Sequence, residues 1–200
     1  MSTDNILDKV KKLRELTGVG FKDCKNAIDE NNGDIEKSIE FLRKKGIAKA
    51  NKKMERVAGD GLVSVCEKGN KFSIIEINSE SDFVAKNNEF MNFVEEISKL
   101  ALQHSGKKKD ILVSEMQNKK NVETNLITLI SKIGEKITFR RSDFFGEDKL
   151  LNFSYMHAAL KKNVGKIGEL YWETAQFFTL VLMIRIHPRE CAPLFFPTKL

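Results

Sequence analysis

Two glycines in Thr17-Gly18-Val19-Gly20-Phe21 come nearest in this chain to the spacing of a phosphate-binding loop. Such a loop offers backbone N–H groups to phosphate at a helix start, and it needs a preceding strand and either a third glycine or a Gly-Lys-Ser/Thr ending. Here a helical apolar pattern comes before the glycines, so the segment reads as a helix-to-helix turn that leaves Phe21 partly exposed. His104, His157 and His187 are dispersed, and Cys24, Cys66 and Cys191 form no CxxC pair. There is no Gly-x-Ser-x-Gly elbow. No catalytic set and no metal-ligand set emerges, and the chain reads as a protein that is not an enzyme and uses no cofactor or metal.

The elements that position these residues begin with three short helical stripes. Ile6, Val10, Leu13 and Leu16 form the first, Cys24, Ala27 and Ile28 the second, and Ile35, Ile39 and Leu42 the third. Asn32-Gly33-Asp34 separates the last two, with Asp34 placed to cap or charge the third helix start. Residues 1–46 therefore form a three-helix module, and its Gly-Phe turn resembles that of ubiquitin-associated domains, which commonly bind a partner through this loop. Beyond a basic linker at 47–56, residues 62–66 and 72–77 are β-branched or aromatic-rich runs joined by a turn, a hairpin signal. A long helix follows from Val84 to about His104, with Phe90, Val94, Ile97 and Ala101 on one stripe. Lys107-Lys108-Lys109 marks a polar loop. Val122, Leu126, Leu129, Ile130 and Ile133 fit a second amphipathic helix with Gly134 just past its end, and 136–141 returns to strand character. This order predicts an α+β core over 57–170, an antiparallel sheet packed against helices.

Charge and composition narrow the function classes. The 200-residue chain has a formal net charge of +6, with 41% hydrophobic and 31% charged residues, which suits a globular protein. Residues 43–56 hold seven basic side chains against the single acid Glu55, so the rest of the chain is neutral overall. That concentration argues against a surface built to track a phosphate backbone, which needs distributed Lys and Arg contacts; the charge run reads instead as a solvated connector. The N-terminal residues carry neither an export nor a transit pattern, and the odd number of cysteines fits a reducing compartment, so the cytoplasm is expected. The apolar run at 177–184 is far short of the roughly 20 residues a membrane span needs.

Four motifs carry a family resemblance. Residues 77–90 read Ile-Asn-Ser-Glu-Ser-Asp-Phe-Val-Ala-Lys-Asn-Asn-Glu-Phe, and residues 13–25 read Leu-Arg-Glu-Leu-Thr-Gly-Val-Gly-Phe-Lys-Asp-Cys-Lys. Residues 133–137, Ile-Gly-Glu-Lys-Ile, are followed by Arg140 and Arg141, and Ser154-Tyr155-Met156-His157 by Gly165-Lys166-Ile167-Gly168. In this order, over roughly residues 5–170, they closely resemble the bacterial translation elongation factor Ts family. The resemblance implies guanine-nucleotide exchange on elongation factor Tu, bound in its GDP-bound and nucleotide-free states. An exchange factor works by differential affinity for the two states. The family's contact motif, whose phenylalanine enters an apolar pocket of the GTPase and weakens magnesium and phosphate binding, matches Ser81, Asp82, Phe83 and Val84. Ser81 stands where the family usually has threonine, which keeps the hydroxyl. Further implied contacts are Leu13, Val19, Gly20, Phe21 and Lys25 in the N-terminal module, the pair Ile133 and Gly134, and His157. The residues alone leave other readings open: Asp82 as only a helix cap and Phe83 as only a hydrophobic staple, Gly134 as an ordinary helix terminator, and His157 as structural.

The resemblance can be followed to Gly168 and not past about Leu170. All three prolines and the single tryptophan lie beyond that point, and residues 171–200 hold only five charged groups. The tail therefore reads as atypical, frameshifted or disordered, and the C-terminal half of the family core as missing. Two other functions remain open: a non-enzymatic adaptor that binds another protein through the three-helix module, and an RNA-binding protein using residues 43–56. A docking fragment without full exchange activity is the third alternative.

Overall fold

The computed structural model describes residues 3–146, 151–173, 178–185 and 194–199, which divide into two compact units. The first holds residues 1–55 and 125–135 and is helical. Helix α1 (Thr3–Thr17) ends at Gly18, whose φ of +66° suits glycine and whose N–H donates to the Arg14 carbonyl at 2.7 Å. Helix α2 (Phe21–Glu30) follows, then Asn32 and Gly33 with positive φ, then α3 (Ile35–Lys53). Asp34 caps α3 as expected, accepting from the Lys37 N–H at 3.0 Å. Val10, Leu13, Val19, Cys24, Ala27, Ile28 and Leu42 close the core between the three helices.

Two features of this unit differ from the sequence-based boundaries. The segment expected to be a basic linker is helical as far as Lys53, because Lys45 and Lys49 reach back to Asp23 of α2 at 3.1 and 2.8 Å and so favour a continued helix. Helix α7 (Val122–Ile133), expected within the core, places its residues from Asn125 onward in the first unit. There Ile127 and Ser131 lie against Gly46 of α3.

The second unit comprises residues 56–124 and 136–200 and is α+β. Strands β1 (Asp60–Lys68) and β2 (Lys71–Ser79) form the expected hairpin, with Lys68 opposite Lys71. With β3 (Ile137–Phe145) and β5 (Val164–Gly165) they make an antiparallel sheet in the order β3-β2-β1-β5. The second sheet, also antiparallel, runs β4-β6-β7-β8, from β4 (Leu151–His157), β6 (Ile167–Glu173), β7 (Phe178–Arg185) and β8 (Leu194–Lys199). Helix α5 (Asn88–Gln103) covers one face of the first sheet with Phe90, Val94, Ile97 and Ala101, the expected stripe. Val63, Val65, Phe72 and Ile74 on the other face meet Leu170 and Ile184 of the second sheet. Strand β2 is consequently buried on both sides along nearly its whole length.

Other local expectations are corrected. The long helix is two pieces, the single turn α4 (Asp82–Ala85) and then α5, because the Asn87 side chain accepts from the Glu89 and Phe90 N–H groups and opens a new helix. The lysine-rich loop contains the start of a short helix, α6 (Lys108–Val113), anchored by buried Ile111. The tail, expected to be atypical or disordered, contributes the end of β6 together with β7 and β8; its residues 174–177, 186–193 and 200 lie outside the described residues. Among the described residues no helix is long and apolar enough to cross a membrane.

Candidate partner-binding site

In the second unit, β2 ends at Ser79 and leads through Glu80 and Ser81 into the one-turn helix α4. The buried Ser79 hydroxyl donates to the Ser81 carbonyl at 3.0 Å and fixes the approach. Val84 and Ala85 face the interior, which forces Phe83 outward: its side chain is 79% exposed. Phe83 is therefore not a staple. Nor does Asp82 cap the helix, since it is the first residue of α4 and Ser81 occupies the N-cap position.

The Asp82 carboxylate instead accepts from Lys86, one turn later, at 2.7 Å. That hydrogen bond is the main reason its carboxyl is held below the usual aspartate range, and the charge of Lys166 acts in the same direction. The same bond raises Lys86, with the charge of Asp60 adding to it. Lys166 also pairs with Asp60, and its backbone N–H donates to the His157 carbonyl at 3.3 Å. Lys166 is thus bonded to the His157 backbone and to Asp60, and acts on Asp82 through its charge. The His157 ring lies 3.3 Å from Glu169 and meets the Tyr155 ring edge-on, with centroids 4.4 Å apart. Phe153 and Tyr155 are exposed on β4 beside it.

Gly165 and Gly168 have a steric role beneath this surface. A Cβ on Gly165 would fall 2.7 Å from the His157 carbonyl oxygen, and one on Gly168 would fall 2.8 Å from Val63. Glycine at both positions permits the close approach of the backbone.

The first unit carries the other expected residues. Leu13 and Val19 are buried in the three-helix core, so any contribution they make is to support the turn rather than to touch a partner directly. The Thr17 hydroxyl donates to the Leu13 carbonyl at 2.7 Å, and the Cys24 thiol lies 3.4 Å from the Val19 carbonyl. Burial pushes the Cys24 thiol up, and the Cys66 thiol likewise, which removes both as ready nucleophiles. Gly20 is open, with no atom within 4 Å of where a Cβ would stand, and Phe21 beside it is 45% exposed. Lys25 is exposed on α2. Gly134 terminates α7 with φ +83°, its N–H donating to the Ile130 carbonyl at 2.9 Å, and Ile133 is half-buried. The Lys132 side chain occupies the space a Cβ on Gly18 would need, so the end of α7 lies against the glycine turn.

The basic segment is largely compensated. Arg43 pairs with Glu40 through two hydrogen bonds of 2.7 Å, Lys45 and Lys49 share Asp23, and Lys53 donates to the Gly134 carbonyl. The two lysines hold the Asp23 carboxyl below its usual range, chiefly through the Lys49 hydrogen bond. Sequence reasoning missed Lys86, Lys166 and Glu80 around Asp82 and Phe83. Lys86 was findable from its i+4 spacing to Asp82; nothing local marks Lys166.

Comparison with known proteins identifies the family to which the chain belongs. The family model described as Elongation factor TS matches residues 80–186, beginning one residue before Ser81 and running past Leu170. The chain is 44% identical over 162 residues to Elongation factor Ts of Methylorubrum populi, covering 80% of this chain and 53% of that relative. It is 41% identical over 191 residues to Elongation factor Ts of Azorhizobium caulinodans, covering 92% of this chain and 62% of the relative. With Elongation factor Ts of Maricaulis maris the identity is 42% over 161 residues. The chain spans about half the length of the curated relatives it matches.

Proposed function

Because the chain belongs to the elongation factor Ts family, we propose that it binds elongation factor Tu in the cytoplasm and promotes release of GDP during translation elongation, with no chemistry of its own. The observation that carries this reading is Phe83, 79% exposed on a single helical turn whose next two side chains are buried. Seating a phenylalanine in an apolar pocket gains about 1.5–3 kcal/mol. If the pocket is open only in the nucleotide-free partner, that gain is a differential affinity and lowers the affinity for GDP by the same factor. Asp82 and Ser81 complete the docking turn, Val84 supports it from the interior, and His157 is a further contact on the same unit. Phe21, Gly20, Lys25, Ile133 and Gly134 form a second contact surface on the helical unit, supported from beneath by Leu13 and Val19.

A second reading has a specific observation behind it. The chain spans about half the length of its relatives, which favours a docking fragment that binds without full exchange. The RNA-binding alternative loses support because the lysines and arginines it needs are engaged within the fold.

Stopped-flow release of a fluorescent GDP from elongation factor Tu distinguishes the readings, with Phe83→Ala as the control. Acceleration by the chain, with a half-saturating concentration raised about tenfold or more in the variant, supports exchange. Binding without acceleration supports the docking fragment. Binding that is unchanged by Phe83→Ala sinks the role of this turn and leaves an adaptor acting through the helical unit.

A further inference from the structure

Glu80 stands immediately before the Ser81-Asp82-Phe83 turn, and its carboxylate joins three separate stretches of the second unit. It accepts from the backbone N–H of Lys136 and from the Arg56 guanidinium, at 3.3 Å for the closer oxygen. The Lys136 ammonium in turn donates to the Arg56 carbonyl at 2.8 Å. The chain enters this unit at Arg56 and re-enters it at Lys136. One carboxylate therefore ties both entry points to the root of α4.

We propose that Glu80 is a positioning residue for the Phe83 docking turn, holding α4 in its binding geometry before a partner arrives. The inference rests on the reading that Phe83 docks into a partner. Its physical basis is preorganisation. A turn of four residues has little intrinsic stability, and the α4 backbone is held by the burial of Val84 and Ala85 together with what precedes and follows it. Behind it, Asn87 caps α5. Ahead of it, Ser79 and Glu80 are the anchors, and Glu80 alone of the two is charged and reaches segments 24 and 56 residues away in sequence. An acceptor for both a backbone N–H and a guanidinium is a carboxylate's particular capacity. Losing it lets the turn sample other conformations, so docking must reorder it at a cost in affinity.

The test uses the full chain in the GDP-release assay, titrated so that the half-saturating concentration and the maximal rate are read separately. Glu80→Ala is expected to raise the half-saturating concentration about three- to tenfold, the range for reordering one or two side chains, while the maximal rate stays unchanged. Glu80→Gln keeps a carbonyl oxygen for the Lys136 N–H and should recover part of the loss. Arg56→Ala, at a side chain more than half exposed, removes the other arm without disturbing the core and should weaken binding in the same direction. In the Phe83→Ala background, Glu80→Ala should have little further effect, because it acts through Phe83. Wild-type affinity in Glu80→Ala, or a loss fully additive with Phe83→Ala, overturns the positioning role while leaving the docking role of Phe83 standing. A chain whose binding is insensitive to Phe83→Ala overturns the docking reading and this inference with it. Amide exchange in the free protein supplies the structural readout: faster exchange in Glu80→Ala at Lys86 and Asn87, whose N–H groups donate to the Asp82, Phe83 and Val84 carbonyls, supports the proposal, and unchanged protection there contradicts it.

Discussion

Phe83 and Asp82 show how one motif in sequence admits several physical roles. A phenylalanine before a helix is as well suited to a staple as to a contact, and an aspartate there is an ordinary cap. The structure separates these, since Ser81 holds the N-cap position, Asp82 pairs with Lys86 and Phe83 points outward. Truncating a side chain so exposed removes little buried area, so Phe83→Ala should leave the melting temperature of the free chain unchanged while binding falls; a clear loss of stability in thermal unfolding would reassign Phe83 to the core. Asp143 on β3 offers a second residue-scale prediction. Burial pushes its carboxyl above the usual range, only partly opposed by the charge of Arg141. A raised pKa means that the folded state holds the proton better than the unfolded state, so stability falls as pH rises from the ordinary carboxylate range through the raised value. Asp143→Asn should therefore melt higher than the unaltered chain at neutral pH, and the gap should close as the pH is lowered below about 4, the ordinary aspartate value. A gap that is constant with pH would contradict this.

Among the elements, α5 was legible from its apolar stripe alone, because Phe90, Val94, Ile97 and Ala101 all turn to the sheet. The break before it was not. Lys86 and Asn87 carry no strong helix-breaking signal, and the new start depends on the Asn87 side chain accepting two backbone N–H groups. Asn87→Ala should cost about 1 kcal/mol of stability, measured by chemical denaturation, and a loss within error would mean that packing alone sets the break. Strand β3 carries a second feature that sequence did not indicate. The register shifts between Glu76 and Ile77 leave Arg140 as an extra residue opposite β2. Arg140 and Arg141, adjacent and expected to face opposite ways, consequently both reach the buried Glu76 carboxylate, at 3.2 and 2.6 Å. Asn78 adds a hydrogen bond of 3.1 Å to the same group. A buried carboxylate so surrounded is satisfied, whereas one stripped of a partner is strongly destabilising.

For the whole molecule, the division into units cuts across the order of the chain. Residues 125–135 pack with the N-terminal helices although seventy or so residues of α+β structure intervene in sequence. Three helices over some fifty residues form a small core that is marginal alone, and Gly46 of α3 lies against Ile127 and Ser131. A fragment of residues 1–55 should accordingly melt at a lower temperature and exchange its α3 amides faster than the same residues in the full chain. Equal protection in the fragment would show that the contribution of α7 to this unit is negligible.

What the sequence determined by itself was the class of the protein and the identity of its motifs. Helical stripes, the β1–β2 hairpin, the Asp34 cap and the α+β order follow from periodicity and turn chemistry, which act over a few residues. The family resemblance rested on short runs in a fixed order and needed no coordinates. The tertiary structure decided which of those residues face solvent and which are buried: Leu13 and Val19 in the core, Phe83 outside it. It also decided the partners of Glu80 and Glu76, since Lys136 and the pair Arg140 and Arg141 lie more than fifty residues from them in the chain. The physical reason is the range of the interactions. Backbone propensity and side-chain periodicity are local, whereas burial and ion pairing depend on which distant segments the sheets bring together.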